Sequence, residues 1–370
     1  MMKSKRIDAL QVPALSPAVF SCEPGGQRAL ADELQRTLPT ERRLAGESGY
    51  VFVSQMPAGE PCVAFAEQCL PGAEPCECES IGDWADAAVQ RITADLDAVE
   101  VPWRLHVWGP PVAEGPIVSR RATLIAEKID ERLRERKRRL AKRCNGEPSG
   151  PWMPDEALVQ VFLTSRTMGF ISCCDAATRR RLRRVVSRFV AGHVEPAVDK
   201  QAPSRAFAKL VEVETRLDRP IAAGETCVDL GSSPGSWAYT ALARGATVTA
   251  VDRSPLRDDL MRDPRLQFVK GDAFKFVPDQ PVDWLLSDVI AFPDRAGELL
   301  RTWLGERRCR HFCVTIKFRG RDDDAEMEPI KQFLATSGYE FAVRRLNANK
   351  NEATAYGFAR ETASEPLSLV

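Results

Sequence analysis

Cys227-Val228-Asp229-Leu230-Gly231-Ser232-Ser233-Pro234-Gly235-Ser236-Trp237 is the stretch on which the reading of this chain turns. An apolar run from Thr226 to Leu230 ends in small residues and gives way to a helical pattern from Ser236 to Arg244. A strand that ends this way lets backbone N–H groups approach a ligand closely at the carboxyl edge of a sheet. The spacing is not the G-x-G-x-x-G of an NAD(P) fold. The plain alternative is that Gly231 and Gly235 serve only to make a tight turn.

Downstream, a second strand, Thr247 to Val251, runs into Asp252, and a third, Gln267 to Lys270, runs into Gly271-Asp272-Ala273-Phe274. A carboxylate offers acceptors and no donor, so Asp252 suits the two hydroxyls of a ribose and Asp272 the exocyclic amine of an adenine. Three such strand ends in order are far more specific than one glycine turn. Trp284 to Ser287 and Cys313 to Ile316 continue the strands, with helices over Glu298 to Leu304 and Ile330 to Ser337. Short buried strands alternating with helices predict an α/β fold with a mostly parallel, doubly wound sheet.

The acidic strand end followed by G-x-x-P-G resembles motif I of S-adenosylmethionine-dependent methyltransferases. Upstream, Pro203-Ser204-Arg205-Ala206-Phe207-Ala208-Lys209-Leu210 is similar to the S-R-x-x-x-K-L segment of the FtsJ-type ribose 2′-O-methyltransferases. That family carries a Lys-Asp-Lys-Glu tetrad. The matching residues here are Lys209, Asp288 at the end of Trp284-Leu285-Leu286-Ser287-Asp288, Lys317 at the end of Val314-Thr315-Ile316-Lys317, and Glu352 in Asn351-Glu352-Ala353-Thr354.

The resemblance implies a Rossmann-like methyltransferase domain over residues 181–370, with S-adenosyl-L-methionine as cofactor and no metal. By the same resemblance the cofactor is held by Ser204, Asp229, Gly231, Ser233, Pro234, Gly235, Ser236, Trp237, Asp252, Asp272, Ala273 and Asp288. The substrate it implies is RNA, 23S ribosomal RNA or its precursor, methylated on a cytidine ribose. There are departures. Ser236 stands where the resembling sequences have a second glycine, and neither the Arg-rich segment 179–188 nor Gly320-Arg321-Asp322-Asp323-Asp324 has a recognised counterpart.

The chemistry such a reaction needs is definite. A ribose hydroxyl is a poor nucleophile with a pKa far above 7, so it must be held in line with the methyl group and helped to lose its proton. A lysine crowded by a second cation and a bound sulfonium is expected to have a lowered pKa, which suits Lys317 as base or as stabiliser of the alkoxide. Asp288 and Glu352 would orient the lysines, and Lys209 would hold a substrate oxygen or phosphate. Any one of these residues alone would be read as solvated. Lys317 and Asp288, however, each end an apolar strand.

The N-terminal half reads differently. Residues 1–85 are expected to form an α/β subdomain: a strand from Ala18 to Cys22, a turn at Pro24-Gly25-Gly26, a helix from Gln27 to Leu38, a strand from Tyr50 to Ser54, then loop and short strands. Residues 86–180 resemble a THUMP RNA-binding domain. The expected elements are a helix from Trp84 to Val99, a strand from Trp103 to Trp108 stopped by Gly109-Pro110-Pro111, a helix from Ser119 to Cys144, and a hairpin of Leu158 to Thr164 with Gly169 to Cys173. An inter-domain junction is expected between Ala176 and Ala208.

Composition narrows the function. The 370 residues carry 52 Lys+Arg and 52 Asp+Glu, yet Ser119 to Lys209 alone holds 21 basic and 10 acidic residues, a footprint suited to a polyanion. Within Ser119 to Cys144 the ratio is 11 to 4, which would make binding of a nucleic acid weaken steeply with salt. The three histidines, His106, His193 and His311, argue against a zinc site or a Ser-His-Asp triad. Eleven scattered cysteines read as reduced thiols, and no run of about 18 apolar residues or signal-peptide core occurs, so a cytoplasmic protein is expected. Two other readings compete: an RNA-binding assembly factor without the reaction, and a methyltransferase for a substrate other than RNA.

Overall fold

The structure, a computed structural model, describes residues 16–360 apart from 38–42, 46–48, 57–58, 110–118, 146–150, 152, 154 and 321–322. Leu38, Pro110, Pro111, Arg321 and Asp322, which enter the expectations above, therefore lie outside the described residues. The chain forms two compact units that divide between His193 and Val194.

The first unit runs β1 (Ala18–Ser21), α1 (Gln27–Thr37), β2 (Arg43–Ala45), β3 (Tyr50–Val53), β4 (Gln68–Pro71), β5 (Glu74–Glu77), α2 (Ile81–Leu96), β6 (Trp103–Trp108), α3 (Arg120–Arg136), α4 (Arg138–Arg143), β7 (Ala157–Leu163), β8 (Met168–Cys174) and α5 (Ala176–Leu182). Among the described residues it holds two four-stranded sheets, in the orders β2-β3-β1-β4 and β5-β8-β7-β6. The expected hairpin is present: β7 and β8 pair antiparallel, with Leu158 opposite Cys174 and Leu163 opposite Gly169. Trp84, Ile92, Ile125, Ile129 and Leu133 from α2 and α3 bury against Trp103, Val159 and Ile171 of the second sheet.

Several boundaries differ from expectation for identifiable reasons. Helix α2 starts three residues earlier because Ser80 and Asp83 form a reciprocal capping box, a Ser-x-x-Asp signal present in the sequence. The long basic helix is broken at Lys137, beyond which α4 turns so that the Leu140 carbonyl accepts the Trp103 indole N–H at 3.0 Å. The unit boundary lies beyond residue 181 because the Arg-rich segment packs on the first unit. Glu60 pairs with Arg183 and Arg184, and the Gln68 amide bonds the backbone of Ser187 and Phe189.

The second unit runs α6 (Phe207–Leu217), β9 (Thr226–Leu230), α7 (Ser236–Ala243), β10 (Thr247–Asp252), α8 (Asp258–Met261), β11 (Leu266–Lys270), β12 (Val282–Ser287), α9 (Pro293–Gly305), β13 (Cys309–Lys317), α10 (Glu328–Thr336), β14 (Tyr339–Arg344) and β15 (Glu352–Ala359). Its sheet has the order β11-β10-β9-β12-β13-β15-β14. Pairings from β11 through β13 are parallel, while β15 runs antiparallel between β13 and β14. The predicted mostly parallel α/β sheet is thus present, and the last two strands are additions that the sequence reading did not assign. The alternation of Tyr339, Phe341 and Val343 was a usable strand signal there. Strand order reverses between β9 and β12, and open α/β sheets place their ligands outside the carboxyl ends of the strands at such a switch point.

Candidate active site

The turn after β9 faces that crevice. Gly231 has φ +73°, and a Cβ there would stand 2.6 Å from the Val289 Cβ; Gly235 has φ +109°, with a Cβ only 2.5 Å from the Leu260 Cδ1. Both backbone conformation and space therefore demand glycine at these two positions. The turn is tied to the next strand by Asp252, whose carboxylate accepts the Ser233 N–H at 3.0 Å and the Ser254 N–H at 2.8 Å. Asp272, beyond the neighbouring strand β11, accepts from the Phe274 N–H at 3.0 Å and from Arg253 at 3.2 Å. The Phe274 N–H first, and Arg253 after it, hold the Asp272 carboxyl below its ordinary value. Partly exposed carboxylates thus stand at the ends of adjacent strands, β10 and β11.

Other residues expected at the cofactor are buried. Trp237 is buried, and its indole N–H donates to the Ala206 carbonyl at 2.8 Å, stitching α7 to the approach of α6. Ala273 is likewise buried. The Ser236 hydroxyl, the departure noted above, lies 2.7 Å from the Ser204 hydroxyl and joins the same two segments. The Ser232 hydroxyl, which sequence reading did not single out, is buried in the turn without a hydrogen-bond partner.

Asp229 is buried under the turn and accepts the Ala238 N–H at 2.9 Å, anchoring the first turn of α7. Burial pushes its carboxyl up to about 8, against the pull of the Ala238 N–H and with further push from Asp288 and Asp252. A carboxyl whose folded pKa is raised gives stability that is whole below its unfolded value and is lost as pH rises through the folded one. The protein is therefore expected to lose on the order of 1 kcal/mol between pH 6 and 7 through this residue. Asp229→Asn, which keeps the acceptor and cannot ionise, should flatten that slope in urea denaturation.

The tetrad converges. Lys209 Nζ lies 2.8 Å from Asp288 Oδ1, 3.1 Å from Asp288 Oδ2 and 2.6 Å from Glu352 Oε1, and Lys317 Nζ stands 3.9 Å from Asp288 Oδ1. The strands explain how. Asp288 follows β12; Lys317 ends β13; and β15 begins at Glu352, directly opposite Lys317 in the antiparallel ladder. Burial would lower the pKa of Lys209, but Asp288 and Glu352 outweigh it and the result is raised. Glu352 is lowered: burial pushes it up, and Lys209, Asn349 and Lys317 more than reverse that.

Lys209 is thus a fixed ammonium with its donors taken by two carboxylates. The expected role of Lys209 in gripping a substrate oxygen or phosphate does not match this geometry. Lys317, with a quarter of its side chain exposed, is the more accessible amine. Among the described residues, no group of three or more His, Cys, Asp or Glu is arranged to hold a metal ion, and no helix is long and apolar enough to cross a membrane.

Residues 202–301 match the family model for FtsJ-like methyltransferases. Among curated proteins, ribosomal RNA large subunit methyltransferase M of Thauera aminoaromatica is 36% identical over 166 residues, 42% of this chain and 46% of the relative. The protein of that name from Pseudomonas fluorescens (strain SBW25) is 34% identical over 178 residues, 45% of this chain and 50% of the relative. The chain spans about half the length of the curated relatives it matches. The family match takes in Lys209 and Asp288 and stops short of Lys317 and Glu352.

Proposed function

We propose that this protein is an S-adenosylmethionine-dependent RNA ribose 2′-O-methyltransferase of the cytoplasm, acting on 23S ribosomal RNA or its precursor at a cytidine. The observation that carries the reading is the position of Lys209 Nζ between Asp288 and Glu352, at 2.8 and 2.6 Å, with Lys317 beside Asp288 and Val289, the residue after Asp288, against Gly231 of the turn. The names of the relatives favour ribosomal RNA. The eleven cysteines, scattered along the chain, favour a reducing compartment.

The residues fit the cofactor chemically. Asp252 and Asp272 present acceptors where a nucleoside has hydroxyls and an amine, and the unpartnered Ser232 hydroxyl and the backbone of the glycine turn remain for the amino-acid end. When bound, the cofactor supplies a sulfonium methyl that accepts a nucleophile. The rest is the work of this chain. Lys209, kept cationic, fixes Asp288 and Glu352. Asp288 in turn directs Lys317, whose Nζ takes the proton from the ribose 2′-hydroxyl or, as ammonium, stabilises the oxygen as charge develops on it.

The first unit is proposed as the THUMP-like RNA-capturing half. Support comes from α4, where Arg138, Arg139 and Lys142 are exposed. Much of α3 is already neutralised within the unit: Lys128 pairs with Glu131, Arg134 with Asp130, and Arg132 and Arg136 with Asp86. The RNA contact is therefore assigned to α4 more than to α3.

The test is transfer of labelled methyl groups to ribosomal RNA from cells lacking the gene, followed by mapping of ribose methylation. A single new 2′-O-methyl cytidine in 23S RNA is expected. Cofactor binding with transfer only to a protein or small molecule would overturn the reading, as would RNA binding with no affinity for the cofactor.

A further inference from the structure

We infer that Asn349, held in place by Glu212, is a positioning residue that fixes the Glu352 carboxylate against Lys209; this rests on reading the Lys209, Asp288, Lys317 and Glu352 cluster as a methyl-transfer site. Lys209, Glu212 and Arg216 share one face of α6, being three and four residues apart. Glu212 is buried, and a buried carboxylate is costly unless fully paired. Its Oε1 accepts from Arg216 Nη2 at 2.7 Å, Arg216 Nε at 2.9 Å and the Asn347 N–H at 3.1 Å, and its Oε2 accepts the Ala348 N–H at 3.2 Å. The two amides belong to the segment joining β14 to β15, so the helix that carries Lys209 also grips the segment that leads into Glu352.

Asn349 completes the circuit. Its Oδ1 accepts the Leu346 N–H at 2.7 Å and the Thr354 hydroxyl at 3.2 Å, which leaves the amide nitrogen as the end facing Glu352. Asn349 Nδ2 donates to Glu352 Oε1 at 3.1 Å, the same oxygen that takes Lys209 Nζ at 2.6 Å. Two donors on one oxygen set the rotamer of the carboxylate and favour its ionised form. A neutral amide does this without adding charge to a site that already holds two lysines and two carboxylates. Lys209 is thereby kept aligned on Asp288, which faces Lys317.

Asn349→Asp isolates this link. One carboxylate oxygen still accepts from Leu346 and Thr354, while the other puts a like charge where the amide donated. The groups facing Glu352 in the variant are Lys209 from α6, Lys317 from β13 and the new carboxylate, with Asp288 sharing Lys209. The experiment is a carboxyl-carbon NMR titration of Glu352 in the whole chain, wild type and Asn349→Asp, beside kcat, KM and cofactor affinity for each.

Glu352 is expected to titrate at higher pH in the variant, kcat to fall about tenfold with its acid limb moved to higher pH, and cofactor affinity to stay within about twofold. An unchanged Glu352 titration would overturn the inference, as would a fall in kcat matched by an equal loss of cofactor affinity. Should Asn349→Asp not fold, Asn349→Ala removes the donor without the charge and should move Glu352 in the same direction by less. Absence of methyl transfer to RNA by the wild type would sink the methyl-transfer reading instead, and the NMR titration would still decide the Asn349 link.

Discussion

Lys317→Ala is expected to lower the rate of methyl transfer by about 10²–10⁴-fold while cofactor affinity stays within about twofold. The separation follows from the sheet. Lys317 ends β13, whereas Asp252 and Asp272 end or follow β10 and β11 on the other side of β9 and β12. On the proposed mechanism, removing its amine takes away the group that receives the proton or stabilises the developing charge, and it leaves the carboxylates assigned to the cofactor in place. Single-turnover transfer with calorimetric titration of the cofactor measures both, and full activity in the variant would remove Lys317 from the mechanism. Lys317→Arg divides the two roles. A guanidinium stays charged near neutral pH, so it can stabilise an alkoxide but not accept a proton. Partial activity would point to electrostatic stabilisation, and an inactive enzyme to proton transfer.

Lys209→Met is expected to cost about 3 kcal/mol of stability at neutral pH, the lower end for breaking a buried ion pair, as well as activity. Glu352 is buried and would be left without its cation, while Asp288 keeps some exposure and has Lys317 at 3.9 Å. The pH dependence has a definite sign. Glu352 is lowered from its ordinary 4.5, so its contribution is whole above that value and is lost as pH falls through the folded one. Lys209 is raised from its ordinary 10.5, so its contribution is whole below that value and is lost as pH rises through the folded one. The gap between wild type and Lys209→Met in urea denaturation should therefore be widest between about pH 5 and pH 10 and narrow on both sides. Adding Glu352→Gln to Lys209→Met should recover part of the loss, because it removes the charge that the first substitution strands.

Part of this site was legible because its signals are local. The turn from Gly231 to Gly235, the acidic ends of the strands at Asp252 and Asp272, and the apolar run into Lys317 each lie within a few residues of the side chains proposed for the site. The strand Trp103–Trp108 and the hairpin of β7 with β8 were legible for the same reason: continuous apolar runs bounded by turn residues. Trp237 shows the limit of that kind of reading. A motif gives it a place in the chain, but its indole bonds Ala206 inside the protein and leaves only its backbone beside the turn. Lys209 is similar: a motif gives it a place in the chain, and the packed structure gives its ammonium two carboxylate partners, Asp288 and Glu352.

Glu352 marks the boundary between the two kinds of information. Residue types, spacing and hydrophobic period specify a parallel sheet, a glycine turn that no larger residue can occupy, and a lysine and an aspartate at strand ends, because each depends on short-range sterics and on the two-residue repeat of a strand. Nothing near Asn347, Asn349 or Asn351 says that the strand they lead into slots antiparallel between β13 and β14 and sets Glu352 opposite Lys317. That pairing is between segments distant in the chain, and the buried Glu212 that grips the intervening turn looks, along the helix, like an ordinary Glu–Arg surface pair. Burial and long-range register belong to the packed molecule alone, and they convert four separate charged residues into one site.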